Sequence, residues 1–313
     1  MSQPERNLSD PGEAIPIAPS FIEQRAAQAE QQQPLLDARV VSICARAVLL
    51  ALVAACVAQL LTALIGLVTN LAFYGRVSTA FVSPAGHVRG AMVVLVPVLG
   101  GLIVGLMARY GSQAIRGHGI PEAMEQVLKN HSRIPARMTF LKPLSAAIAI
   151  GTGGPFGAEG PIIATGGALG SLLGQVLPTS AAERKTLLAA GAAAGMAATF
   201  GSPVSAVLLA VELLLFEYRP RSLVPVALAA AAATSVRIVS VGGGAVFPMP
   251  QLLQPGAGAL GVYVLVGALL GLVSVWVTRG VYWVETLFER LPLHFMWWPP
   301  PGGNTPSRIW WTA

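Results

Sequence analysis

Charge is scarce in this chain: only 11% of its 313 residues are Asp, Glu, Lys or Arg, where a soluble domain carries about 25%. A water-surrounded globule of this size is therefore excluded. Cysteine is scarcer still. Cys44 and Cys56 fall in one apolar run, supply neither a disulfide framework nor a zinc site, and read as small core residues. The four histidines, at 87, 118, 131 and 294, are scattered, and no H-E-x-x-H helix exists to make a membrane zinc protease. No G-K-[ST] closes a phosphate loop, and the Gly-rich run Gly151 to Gly160 lacks the strand-turn-helix context of a dinucleotide site. No cofactor and no metal are expected. The first thirty residues have neither the basic start nor the apolar core of a secretory signal.

What the chain has in abundance is apolar sequence and glycine. It is 54% hydrophobic with 34 glycines, and its mean hydropathy is +0.65. That combination marks a helical membrane protein, in which Gly is commoner than in soluble helices. The net charge of +6 comes from 20 basic and 14 acidic residues, and the basic ones sit in short segments between apolar runs. Lipid head groups and the positive-inside rule account for this pattern without nucleic acid.

Residues 1–40 carry the run Gln31-Gln32-Gln33, scattered acids and no recurring apolar face, which predicts a disordered tail. Ala47 to Gly75 holds no charge, ample for a tilted span of about 20 apolar residues. Gly90 to Ala108 reads as a second span. Between them only Arg76 and Arg89 are basic, whereas the segment from Arg109 to Lys142 holds six basic residues and the tail holds Arg6, Arg25, Arg39 and Arg46. The tail and the basic segment are thus expected on the cytoplasmic side of a plasma (inner) membrane. Apolar segments follow at about 143–156, 161–177, 186–200, 203–217 and 222–240. Several are shorter than a span, as in broken helices buried in protein or lining an aqueous cavity. After a Gly/Pro-rich loop, Gly242 to Gly258, a span is expected over Ala259 to Thr278, then an amphipathic segment from Val281 to Arg290. Val96-Pro97-Val98-Leu99-Gly100-Gly101 is echoed by Trp298-Pro299-Pro300-Pro301-Gly302-Gly303, which reads as the opening of a second repeat.

Two motifs carry the chemistry. Glu159 lies in Gly157-Ala158-Glu159-Gly160-Pro161, with no charge for sixteen residues before it or twenty-three after. An intramembrane carboxylate is costly and marks a functional site. Pro161 suits the first turn of a helix, which would put Glu159 at a helix N-terminus where N–H groups favour an anion. The carboxylate would then compete with a mobile anion for the same place. The second motif is Gly117-His118-Gly119-Ile120-Pro121-Glu122, whose glycines let the backbone bend ahead of a helix from Ala123 to Asn130.

Taken together with LLAAGAAAGMAATFGSPVSAVLLAVELL downstream, GHGIPE and GAEGP resemble the CLC chloride channels and chloride/proton exchangers. That family shows GSGIP, then GREGP or GKEGP, then AAGxAAGxAAAFNAPxxGxxFxxEE. The resemblance covers residues of about 45 to 291 and implies an all-α membrane protein. The implied fold is a bundle of tilted and broken transmembrane helices in two inverted repeats, assembled as a homodimer in the lipid bilayer. It divides the chain into a first repeat over 41–255, the start of a second over 256–295, and an aberrant or truncated tail over 296–313. It implies chloride or another small anion as partner, gated by Glu159. Gly157, Ala158, Gly160 and Pro161 would form the outer turn, and Gly117, His118, Gly119, Ile120 and Pro121 the inner one. His118 stands in place of the family's serine, and Ala158 in place of its Arg or Lys. Leu213 replaces the second glutamate of the proton path, leaving Glu212 or Glu217 as substitutes and weak proton coupling as the expectation. The family's GIFAP turn and late tyrosine are not matched, since tyrosines fall only at 74, 110, 218, 263 and 282. A truncated, non-conducting remnant is therefore the alternative. An intramembrane enzyme using Glu159 and His118 as acid and base would need a nucleophile or metal that the sequence does not offer.

Overall fold

The uncharged stretch that begins at Ala47 becomes most of one long helix. The structure, a computed structural model, describes residues 37–86, 90–115, 117, 119–244 and 256–289. Helix α1 (Ala38–Thr69) runs into a π turn, Asn70–Tyr74, and stops at Gly75 with φ 67°. Buried Asn70 holds the returning chain: its amide donates to the carbonyls of Gly66 at 2.8 Å and Ala80 at 2.7 Å, and its oxygen accepts from Arg76 Nε at 2.7 Å. The helix starts at Ala38, so the tail ends slightly before the boundary expected at residue 40. Residues 1–36 of that tail lie outside the described residues.

The remaining helices are α2 (Leu95–Tyr110), α3 (Ile120–Lys129), α4 (Met138–Gly151), α5 (Glu159–Val176), α6 (Ala181–Phe200), α7 (Pro203–Ala210), α8 (Pro220–Val241) and α9 (Ala257–Glu289). A second π turn, Val211–Leu215, ends α7. No strand occurs among the described residues. Three helical stretches are long and apolar enough to cross a membrane, Ala38–Tyr74, Pro220–Val241 and Gly258–Val284, while Leu95–Tyr110, Met138–Gly151 and Pro203–Leu215 are apolar but shorter. The protein is an all-α membrane bundle with broken helices.

The core is built around α5 and α6. In lipid no hydrophobic force drives helices together, so close approach relies on small residues. Here the approach is glycine to carbonyl. A Cβ on Gly166 would collide with the Gly191 carbonyl, one on Gly170 with the Leu187 carbonyl, and one on Gly195 would lie 3.0 Å from the Ile162 carbonyl. These pairs fix an antiparallel register. Leu187, Leu188, Ala189 and Ala190 are fully buried in consequence, and α8 covers the other flank of α6 with buried Ala229, Ala230 and Ala233. Helix α6 opens on a capping box, Ser180 Oγ accepting from Glu183 N–H and Glu183 Oε2 from Ser180 N–H.

Three expectations are corrected. The second span begins as a short 3₁₀ segment, Gly90–Val94, before the sixteen-residue α2. Helix α3 starts at Ile120 rather than Ala123, because Gly119 caps it and Pro121 is accommodated in the first turn. The amphipathic segment from Val281 is continuous with α9, not a separate element. Helix α9 is exposed along its length, with Val264 at 73% and Trp276 at 76%. The echo at Trp298 and the tail over 296–313 lie outside the described residues, as do residues 245–255 of the Gly/Pro-rich loop.

Candidate functional site

The outer turn follows α4. Gly153 takes φ 89°, the chain reverses, and Ala158 becomes the N-cap of α5 with Glu159 as its first residue. The first intrahelical bond runs from Ile162 N–H to the Ala158 carbonyl at 3.0 Å. The amides of Glu159 and Gly160 precede it and have no acceptor within the helix, while Pro161 has no N–H to leave unpaired. Glu159 itself is exposed, and no described residue donates a hydrogen bond to it. Gly157 is exposed, and a Cβ there would meet only open space, with Glu159 N at 4.0 Å.

The inner turn is held much more tightly. Gly117 and Gly119 have φ 91° and 95°, a backbone region in which glycine alone is comfortable. Glu122, at the third position of α3, reaches back so that its Oε2 accepts the Gly119 N–H at 2.6 Å. Its Oε1 fills the place a Cβ on Gly117 would occupy. From α4, buried Lys142 donates to the carbonyls of Ile115 at 2.8 Å and Gly117 at 3.0 Å.

The two turns meet. A Cβ on Gly119 would strike the Gly160 carbonyl group, with the carbonyl carbon at 2.7 Å, and would lie 3.2 Å from Ala164 Cβ. Backbone thus touches backbone where the inner turn abuts the start of α5. A cavity of about 50 Å³ opens beside this junction, lined by Gly119, Glu122, Gln126, Met138, Lys142 and Ala164 among others. It is large enough for water, which needs roughly 10–15 Å³ on this measure.

Of the residues singled out in the sequence, Gly117, Gly119, Ile120, Pro121, Gly160, Pro161, Ala158, Gly157 and Glu159 all lie in these two turns. His118 lies outside the described residues. The two acids named for a proton path lie elsewhere. Glu212 is exposed on the π turn after α7. Glu217 pairs with Lys185 at 3.3 Å and Arg219 at 3.6 Å and accepts from Ser222 Oγ at 2.9 Å. Lys185 follows Arg184, which packs on Gly174 near the far end of α5, so Glu217 is about 20 Å along the helix from Glu159 at 1.5 Å per residue. Sequence reasoning missed Glu122 and Lys142. The first had a signal, an acid three residues after a glycine N-cap; the second was indistinguishable from its solvated neighbours.

Residues 100–304 match the voltage gated chloride channel family model, a stretch that contains both turns and the carboxylate at the head of α5. The chain belongs to the voltage-gated chloride channel family. Among curated CLC relatives it is 33% identical over 189 residues to the H(+)/Cl(-) exchange transporter ClcA of Vibrio cholerae, covering 59% of this chain and 40% of that one. It is 30% identical over 209 residues to chloride channel protein CLC-f of Arabidopsis thaliana, covering 63% of this chain and 26% of that one. The chain thus spans well under half the length of these relatives. Among solved CLC structures, a slow cyanobacterial Cl-/H+ antiporter superposes with a TM-score of 0.67 at 22% identity, over 84% of this chain and 61% of that one. A CLC-type fluoride/proton antiporter superposes with a TM-score of 0.59 at 20% identity, over 81% and 61% of the two chains. These two likenesses establish the fold.

Proposed function

We propose that this chain carries the gated half of a CLC-type pathway for chloride or another small anion, with Glu159 as the gate. The observation that supports this reading most is the junction of Gly119 with Gly160, which unites two helix N-termini beside an exposed carboxylate. Unpaired amides at the start of α5 favour negative charge, so the Glu159 side chain and a mobile anion compete for one position. The carboxylate must swing away or take up a proton for the anion to enter. Proton coupling is weak on this reading, because Leu213 cannot relay a proton and Glu217 is committed to Lys185. The N-terminus faces the cytoplasm of a plasma membrane by the distribution of basic residues, and the pathway operates in a homodimer. Chloride efflux from proteoliposomes, set against empty vesicles, tests the proposal. Efflux no faster than from empty vesicles would instead favour a non-conducting remnant, since a desolvated anion needs several donors and these turns supply part of a shell.

A further inference from the structure

We infer that Glu122 is a second carboxylate latch, set on the inner turn: it occupies the Gly119 amide until an arriving anion displaces it toward Lys142. The inference rests on the anion-pathway reading above and adds a second, internal competitor to it. Three observations carry it. The Gly119 N–H, on the residue that touches Gly160, is taken by Glu122 Oε2 at 2.6 Å, so a negative group already sits on that amide. The same carboxylate borders a cavity of about 50 Å³, which gives it somewhere to go. The same cavity is lined by buried Lys142, whose ammonium is anchored through the carbonyls of Ile115 and Gly117. The carboxylate therefore has two favourable positions, one on the turn amide and one closer to the ammonium.

The charges around Glu122 suit such an exchange. From α4 it faces Lys142; from α5 it faces Ala164, which is uncharged. On its own helix Glu125 is paired with Lys129 at 2.9 Å, leaving Gln126 as the polar neighbour at the cavity. The π turn Val211–Leu215 packs against α3 and carries Glu212, which is exposed. A monovalent anion arriving at the Gly119 amide thus releases a carboxylate that one buried cation is placed to receive. Glutamine at this position can still accept the Gly119 N–H and keep the helix start, but a neutral acceptor is held about half as strongly as an ionised one and yields the amide to chloride. A purely structural cap would show no such gain in chloride affinity.

Chloride titration by calorimetry on the purified full-length chain, with efflux measured in parallel, tests the latch. A competitor that holds the amide nine-tenths of the time raises the apparent Kd about tenfold. Glu122→Gln should therefore bind chloride about tenfold more tightly than the original protein, with its helical circular dichroism unchanged. Lys142→Gln keeps donors for the two carbonyls but loses the charge, and should weaken binding several-fold, an effect that shrinks when combined with Glu122→Gln. Glu122→Gln binding as the original does, or neither protein binding chloride, overturns the latch. So does an equal Lys142→Gln effect in both backgrounds, which would mean that the ammonium acts on the anion directly. Tighter binding by Glu122→Gln without efflux from either protein would uphold the latch and sink the conduction proposal alone.

Discussion

The inner and outer turns share glycine, proline and glutamate in a different order, and the order decides where their carboxylates lie. In Gly119-Ile120-Pro121-Glu122 the acid comes last, at the third helical position, from which it folds back onto the N-cap amide. In Ala158-Glu159-Gly160-Pro161 the acid comes first, too early to reach back, and it stands exposed at the head of α5. Two helical positions separate a carboxylate that closes its own turn from one that stands exposed. The glycines differ likewise: Gly119 is jammed against Gly160, while Gly157 faces open space.

The most damaging way to break this comparison is Gly119→Ala. The new Cβ would meet the Gly160 carbonyl at a φ of 95°, and a left-handed backbone alone costs about 1–2 kcal/mol. We expect efflux to fall at least about tenfold, since 1.4 kcal/mol is already a factor of ten, and the melting temperature of the detergent-solubilised protein to drop. Wild-type efflux would mean the turns need not touch. Next in size is Glu159→Gln, which imitates a protonated gate: efflux should lose most of its dependence on pH. An unaltered pH profile would remove Glu159 from the gate. Glu217→Gln should leave efflux and its pH profile as they were, and lower stability by no more than about 1 kcal/mol, the scale of a partly exposed ion pair. A changed proton-to-chloride ratio in vesicles would restore it to the proton path. The mildest test is Gly157→Ala, predicted to shift stability by less than about 0.5 kcal/mol and to conduct normally. If it were as harmful as Gly119→Ala, the outer turn would be as constrained as the inner.

Much of this arrangement was legible in the sequence because Gly and Pro punctuate it. The broken helices over α4 to α8 fall close to the apolar segments read from composition, and both turns stand where GHGIPE and GAEGP put them. Burial of charge was not legible. Lys142 looks like one more member of the basic segment that includes Arg133 and Arg137, and only the packing of α4 beneath the inner turn takes it out of water. The partners of Glu217 were equally illegible: Lys185 and Ser222 are brought to it only by the packing of α6 and the start of α8. The continuity of α9 through Val281 was missed because Arg279 and Gly280 look like a stop, yet nothing in the backbone obliges one.

The seats between α5 and α6 have a mechanical corollary. Carbonyl oxygens of Gly191 and Leu187 rest where Gly166 and Gly170 lack a side chain, one turn apart on each helix. A slip of an ångström or two along the axis would drive those oxygens into the flanking residues, and the next matching alignment is a whole turn, about 5.4 Å, away. The pair therefore behaves as a toothed rod, stiff to small shear. On the proposed reading, a gate at Glu159 would therefore open by rotation about side-chain bonds at the rod's tip, fast and local, with α5 and α6 standing still.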